Sequence, residues 1–194
     1  GIPWWTTDIG GFFGANINDP EFHELLIRWF EYGCFCPVMR LHGYRWPLQP
    51  QYGTTGGATC VSGAPNEVWS YTDQVCEILS DYLRLRERML PYITELMEEA
   101  HEKGTPVMRP LFYDFPEDKE SWNVETEYMF GPKVLVKPIT DADARETDVY
   151  LPGGASWTNA WTGETFEGGQ KVHVAAPIEQ IPLFTRDGYK LPMK

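Results

Sequence analysis

Asp8 and His42 each close a short apolar run just before glycine. Ile2 to Ile9 leads to Gly10-Gly11, and Phe35 to Leu41 leads to His42-Gly43. In a parallel α/β sheet or barrel, residues at the C-terminal ends of strands face the ligand crevice. A carboxylate and an imidazole placed there can accept and donate hydrogen bonds to sugar hydroxyls. The structural alternative is that Asp8 caps the following turn and His42 is an ordinary loop histidine. On pattern alone both readings stand.

The elements that must hold these residues follow from periodicity. Asp19-Pro20 reads as an N-cap followed by proline at the first helical position. Phe22, Leu25, Leu26, Trp29 and Phe30 then recur at helical spacing, and Gly33 ends the helix. Strand, helix and strand thus alternate over the first 42 residues, the pattern of a parallel sheet. Residues 43–70, punctuated by Pro47, Pro50, Gly53, Gly56, Gly57, Gly63 and Pro65, read as a long loop of the kind found near sites. A helical pattern runs from Thr72 to Lys103, with a break or kink at Pro91 and an end at Gly104. Beyond residue 130 the chain turns to short alternating runs, such as Val134-Leu135-Val136, Thr147 to Leu151 and Lys171 to Val174. Pro152-Gly153-Gly154, Thr162-Gly163 and Gly168-Gly169 separate them, which indicates an antiparallel sandwich or barrel.

Composition narrows the partners. With 16 Lys plus Arg against 28 Asp plus Glu, the net charge is −12, and no basic stretch offers a nucleic-acid footprint. No apolar run reaches the roughly 20 residues of a membrane helix, so neither nucleic acid nor membrane is expected as a partner. The opening residues carry no basic leader and read like the inside of an element, as if the sequence began within something larger. Cys34, Cys36, Cys60 and Cys76 are too few for a disulfide scaffold and lack zinc spacing; buried free thiols are expected, and no metal or cofactor. Aromatic residues reach 14%, including 8 Trp, which suits either a core or the stacking walls of a carbohydrate site.

The segment Trp4-Trp5-Thr6-Thr7-Asp8-Ile9-Gly10-Gly11-Phe12-Phe13-Gly14 closely resembles the seventh-strand motif of glycoside hydrolase family 31, the α-glucosidases and α-xylosidases. Met39-Arg40-Leu41-His42-Gly43 resembles the family's eighth-strand segment, and Arg88-Met89-Leu90-Pro91-Tyr92-Ile93 its final barrel helix. Gly104-Thr105-Pro106-Val107-Met108-Arg109-Pro110-Leu111 resembles the entry to the sandwich that follows the barrel, and Phe130-Gly131-Pro132 the family's next stretch. The fold implied is the C-terminal part of a (β/α)8 TIM barrel over residues 1–108, then an antiparallel β-sandwich over 109–194: α/β followed by all-β.

By the same resemblance, Asp8 and His42 bind hydroxyls of the sugar in the −1 subsite, Phe12 forms part of its apolar wall, and Arg40 braces the site by pairing with a carboxylate. For Arg40 the rival is a salt bridge that only holds the strand. The parent activity implied is retaining hydrolysis of α-linked glucose or xylose from the non-reducing end of an oligosaccharide or α-glycoside. The nucleophile and the acid/base, about 5–5.5 Å apart in a retaining enzyme, lie on the family's fourth and sixth strands, and no stretch here resembles those motifs. The sequence on its own is therefore expected to be inactive and to need the N-terminal part of the barrel as its partner. Alternatives are a transglycosylase of the same family and a non-enzymatic carbohydrate-binding module built on the sandwich. Weaker candidates are Glu67 and Trp69, for which a helix-entry cap with a buried Trp is the expected reading. Asp114 and Asp118 read as turn residues, and Glu98, Glu99 and Glu102 as a solvated helix end.

Overall fold

A computed structural model describes residues 2–193. Its first helix, α1 (Pro20–Cys34), begins as the sequence requires: Asp19 accepts a hydrogen bond from the Glu21 amide at 3.0 Å, and Pro20 occupies the first turn. The buried face is Phe22, Leu26, Ile27 and Phe30, whereas Leu25, expected on that face, is exposed. Gly33 does not stop α1 but lies inside it. A Cβ there would come within 2.5 Å of the Ile9 side chain, so the glycine lets the helix close on the chain before it.

The runs before α1 and after it do not form extended strands. Among the described residues they meet in one isolated parallel bridge, Ile9 to Leu41, supported by a hydrogen bond from the Val38 amide to the Trp5 carbonyl at 3.2 Å. Ile2, Trp4, Trp5 and Val38 along these runs stay exposed, so little apolar burial holds the two segments together as a longer ladder.

The segment read as loop contains an antiparallel hairpin, β1 (Arg45–Gln49) with β2 (Ser62–Ala64), and two short 3-10 turns. Pro91 does not kink one helix but starts a second: α2 (Asp73–Arg88) ends at Met89, and α3 (Leu90–Lys103) takes the proline in its first turn, where its missing N–H costs nothing. Thr72 caps α2 by accepting from the Val75 amide at 3.3 Å, and left-handed Gly104 closes α3.

Next come β3 (Met108–Pro110), the short helix α4 (Leu111–Asp114), β4 (Tyr128–Phe130), β5 (Val134–Val136), β6 (Glu146–Leu151), β7 (Ser156–Asn159), β8 (Thr165–Glu167), β9 (Gln170–Ala175) and β10 (Leu183–Arg186). They form a six-stranded antiparallel sheet in the order β3-β4-β5-β10-β7-β8 and a two-stranded sheet, β6-β9. Strand period sends neighbouring residues to opposite faces. Leu135 joins Met129, Trp157 and Phe184 in the core shared with β6 and β9, while Val134 and Val136 join the helical core of Leu26, Leu79 and Leu96. Both faces of the large sheet are covered, which is why its central strands read as unbroken apolar runs. Trp157 is fully buried and donates from Nε1 to the Pro152 carbonyl at 2.9 Å; burial of such a side chain stabilises by roughly 1.5–3 kcal/mol.

Two polar clusters tie the layers together. Arg28, on α1, donates to Glu31 at 3.1 Å and to the carbonyls of Ala144, Ala176, Pro177 and Gln180. Tyr82, on α2, donates to Glu31 and accepts from the Ile181 amide, both at 3.0 Å. Asp118 is more than a turn residue: it accepts from the Tyr150 hydroxyl and the Gly153 amide. Asp114 pairs with Arg109 at 3.1 Å. Glu99 also faces Arg109, at 3.6 Å, so the α3 end is not wholly solvated. No helix among the described residues is long and apolar enough to cross a membrane.

Candidate active site

The bridge between Ile9 and Leu41 brings together the four residues singled out from the sequence. Ile9 is fully buried and anchors the first segment, while the Trp29 indole donates to Thr7 Oγ1 at 3.0 Å. The chain then turns sharply: Gly10 and Gly11 have φ of +82° and +81°, and the Gly11 amide returns to the Asp8 carbonyl at 2.7 Å. Asp8 thereby stands beside the bridge next to Arg40, whose Nη2 donates to Asp8 Oδ1 at 2.7 Å. Among the described residues no donor meets Oδ2, and the Asp8 side chain is 28% exposed.

Phe12, past the turn, is half exposed; its ring centroid lies 5.4 Å from that of His42, tilted by 38°. Phe13 stands edge-on to Phe12 at 4.7 Å. The two turns are joined directly by the Tyr44 amide donating to the Phe12 carbonyl at 3.1 Å. From the opposite end, Arg86 fixes the second segment by donating to the carbonyls of Cys34, Cys36 and Pro37 at 2.7, 2.6 and 2.7 Å. The result is an open rim carrying a half-occupied carboxylate, an imidazole and an aromatic edge.

Other candidates fall elsewhere. Trp69 is exposed, not buried, and Glu67 does not cap a helix amide but accepts from the Ser70 hydroxyl at 3.0 Å. Cys34 and Cys36 are buried free thiols; Cys60 is exposed and Cys76 intermediate, against the expectation for all four. Burial pushes the Cys34 thiol up to about 12 and Cys36 to about 11, so neither is a ready nucleophile. Among the described residues no group of three His, Cys, Asp or Glu is placed to hold a metal. Sequence reasoning passed over Arg45, which lies fully buried beneath both turns. Its signal was a cation inside the otherwise aromatic and proline stretch Tyr44-Arg45-Trp46-Pro47.

Comparison with known proteins gives this rim a context. Residues 1–96 match the glycosyl hydrolases family 31 TIM-barrel domain, and residues 104–191 the family 31 C-terminal domain. The sequence is 38% identical to an α-xylosidase of Saccharolobus solfataricus, over 100% of this chain and 24% of the relative. It is 35% identical to α-glucosidase 2 of Bacillus thermoamyloliquefaciens, over 97% of this chain and 21% of the relative. Among solved structures, a family 31 α-xylosidase from a soil metagenome, crystallised with xylose, superposes with a TM-score of 0.93 and 50% identity, covering 98% of this chain and 28% of that one. The chain thus spans about a quarter of the length of these relatives. It belongs to glycosyl hydrolase family 31, and comprises part of the family's TIM barrel followed by its C-terminal β-sandwich domain.

Proposed function

We propose that the protein containing this sequence is a retaining glycosidase acting on terminal α-linked xylose or glucose, and that Asp8, Phe12, Arg40 and His42 form part of its −1 subsite. Barrel and sandwich divide, in this reading, at residues 108 and 109, where β3 enters the large sheet. The observation that carries the proposal is the state of Asp8. Arg40 occupies one carboxylate oxygen, the other meets no donor among the described residues, and the partly exposed side chain stands next to the turn that carries Phe12 against His42. Such a group takes sugar hydroxyls as a charge-assisted acceptor, and the aromatic edge covers an apolar ring face. Xylose is the first sugar to test, because the relatives at 50% and 38% identity are both α-xylosidases.

Asp8 is a binding residue in this reading, not the nucleophile. A carboxylate held by an arginine is a poor attacking group, and the reacting pair is assigned to the part of the barrel outside residues 1–194. Residues 1–194 alone are then inactive. The test is Asp8→Asn in the full-length enzyme with p-nitrophenyl α-xyloside and α-glucoside. Hydrogen bonds to a charged group contribute about 1.5–3 kcal/mol. Bonds that tighten as the sugar ring flattens lower the barrier itself. The expected result is a fall in kcat/KM of on the order of a hundredfold, shared by kcat, with the melting temperature nearly unchanged. A kcat/KM within a few-fold of wild type, with a sharply lowered melting temperature, would mean that the Asp8–Arg40 pair only holds the two segments together.

A further inference from the structure

Arg45 is fully buried, yet among the described residues no carboxylate comes within ion-pair distance of it. Its two Nη groups are spent on backbone instead, while Nε finds no partner among the described residues. Nη1 donates to the Gly11 carbonyl at 2.8 Å and, at 3.4 Å, to that of Tyr44; Nη2 donates to the Ile9 carbonyl at 3.2 Å. The Phe22 ring lies beneath the cation, 5.1 Å from the centroid. Burying a guanidinium without a counter-ion is costly, and a methionine or leucine would fill the volume at less cost. What an apolar side chain cannot do is hold two carbonyls of one turn with a rigid planar fork.

We propose that Arg45 is a positioning residue for the sugar subsite, holding the Asp8–Phe12 turn and the His42–Tyr44 turn at a fixed separation. The proposal rests on the reading of Asp8 and His42 as sugar-binding groups. The two carbonyls it grips flank Gly10, so the backbone directly after Asp8 is fixed by a side chain rooted three residues after His42. Both turns are shaped around the guanidinium. A Cβ at Gly10 would lie 2.5 Å from Nη2, and one at Gly43, whose φ is +126°, would lie 2.9 Å from Nη1 and collide with the Gly11 carbonyl oxygen. Backbone bonds continue the seam: the Trp46 amide donates to the Ala15 carbonyl at 2.8 Å, and the Ile17 amide to the Trp46 carbonyl at 3.1 Å. A misplacement of only about 1 Å can cost on the order of a hundredfold in rate, so the fork's grip sets how well the subsite matches the transition state.

The experiment is a double-mutant cycle in the full-length enzyme with Arg45→Lys, Asp8→Asn and both together, assayed on p-nitrophenyl α-xyloside. Lysine keeps the charge but cannot hold both carbonyls. Arg45→Lys alone is expected to lower kcat by roughly tenfold or more, with KM moving much less. In the Asp8→Asn background the same change should cost only about two- to threefold, because the turn then has less to position. If Arg45→Lys keeps kcat within twofold while the melting temperature drops, the arginine is a structural filler and the proposal is overturned. An undiminished loss in the Asp8→Asn background overturns it as well. A harmless Asp8→Asn overturns the subsite reading and this inference with it, whereas a costly Asp8→Asn beside a harmless Arg45→Lys overturns this inference alone. Should Arg45→Lys fail to fold, Phe22→Leu decides: removal of the ring beneath the guanidinium should lower kcat severalfold in wild type and hardly at all beside Asp8→Asn, and an unchanged kcat in wild type overturns the proposal.

Discussion

The molecule sets an arginine beside an acidic side chain in two regions, to opposite ends. At the rim, Arg40 meets Asp8 at 2.7 Å with side chains 51% and 28% exposed; at the junction of helices and sandwich, Arg28 meets Glu31 at 3.1 Å with side chains 6% and 1% exposed. The exposed pair leaves one carboxylate oxygen unpaired among the described residues, and solvent tolerates that at little cost. The buried pair leaves little unsatisfied. Four carbonyls accept from the two Nη groups of Arg28, leaving only its Nε without a partner, and the Tyr82 hydroxyl takes the second oxygen of Glu31. Burial therefore decides which pair holds the fold and which can still bind something else.

The strongest way to break this comparison is Arg28→Met. Removing the arginine leaves Glu31 and the carbonyls of Ala144, Ala176, Pro177 and Gln180 without their donor, and a buried polar group left unsatisfied costs about 1–3 kcal/mol. Unfolding of the full-length protein should show a loss of that order, while kcat/KM measured well below the transition stays near wild type. An equal loss of stability from Asp8→Asn would erase the distinction between the two pairs.

A smaller effect joins the two regions. Gly33→Ala gains helix propensity of up to about 1 kcal/mol, but its Cβ would meet Ile9 Cδ1 at 2.5 Å and Cγ1 at 2.9 Å. Ile9 is fully buried and cannot retreat freely. Overpacking of this kind costs about 1–3 kcal/mol, so a net destabilisation of roughly 1–2 kcal/mol is expected. Because Ile9 directly follows Asp8, kcat/KM should fall too. Lost stability with unchanged activity would show that the core and the rim move independently.

What the sequence disclosed depended on how local the cause was. Asp19-Pro20, Thr72 and Gly104 act within one turn of helix, and they mark the ends of α1, α2 and α3 where expected. That Arg40 pairs with a carboxylate was legible only through the resemblance of its segment to a known motif, and that the carboxylate is Asp8 was not, because 32 residues separate them. Gly33 was misread because a glycine that ends a helix and one that admits a neighbouring side chain look alike in sequence. The strands around residues 1–9 and 35–41 were over-read for a related reason. An apolar run suggests a buried strand, but Ile2, Trp4, Trp5 and Val38 stay exposed, and only Ile9 and Leu41 bridge. Arg45 escaped notice because its partners are carbonyl oxygens, which carry no residue type.

The gentlest probe of the comparison is Glu31→Gln followed over pH. Desolvation pushes the Glu31 carboxyl up from 4.5 to about 8, against the pull of Arg28 and Tyr82. In the unfolded chain the group loses its proton near the ordinary value; in the folded chain it keeps it until about pH 8. Between those limits the folded state binds the extra proton, so raising the pH favours unfolding. The contribution is fully present below about 4.5, is lost progressively toward about 8, and changes no further above that. Glutamine has no proton to lose and keeps an oxygen for Arg28, so at pH 5 the variant should lie within about 1 kcal/mol of wild type. Glu127, pushed up to about 7 by burial beside Lys137, titrates in the same direction in both proteins and cancels in the difference. Thermal unfolding of the two full-length proteins at pH 5, 6, 7 and 8 should therefore show wild type losing ground to Glu31→Gln as pH rises. The reverse trend would mean that Arg28 holds Glu31 ionised in the folded protein, and that the buried pair differs from the rim pair in exposure but not in charge.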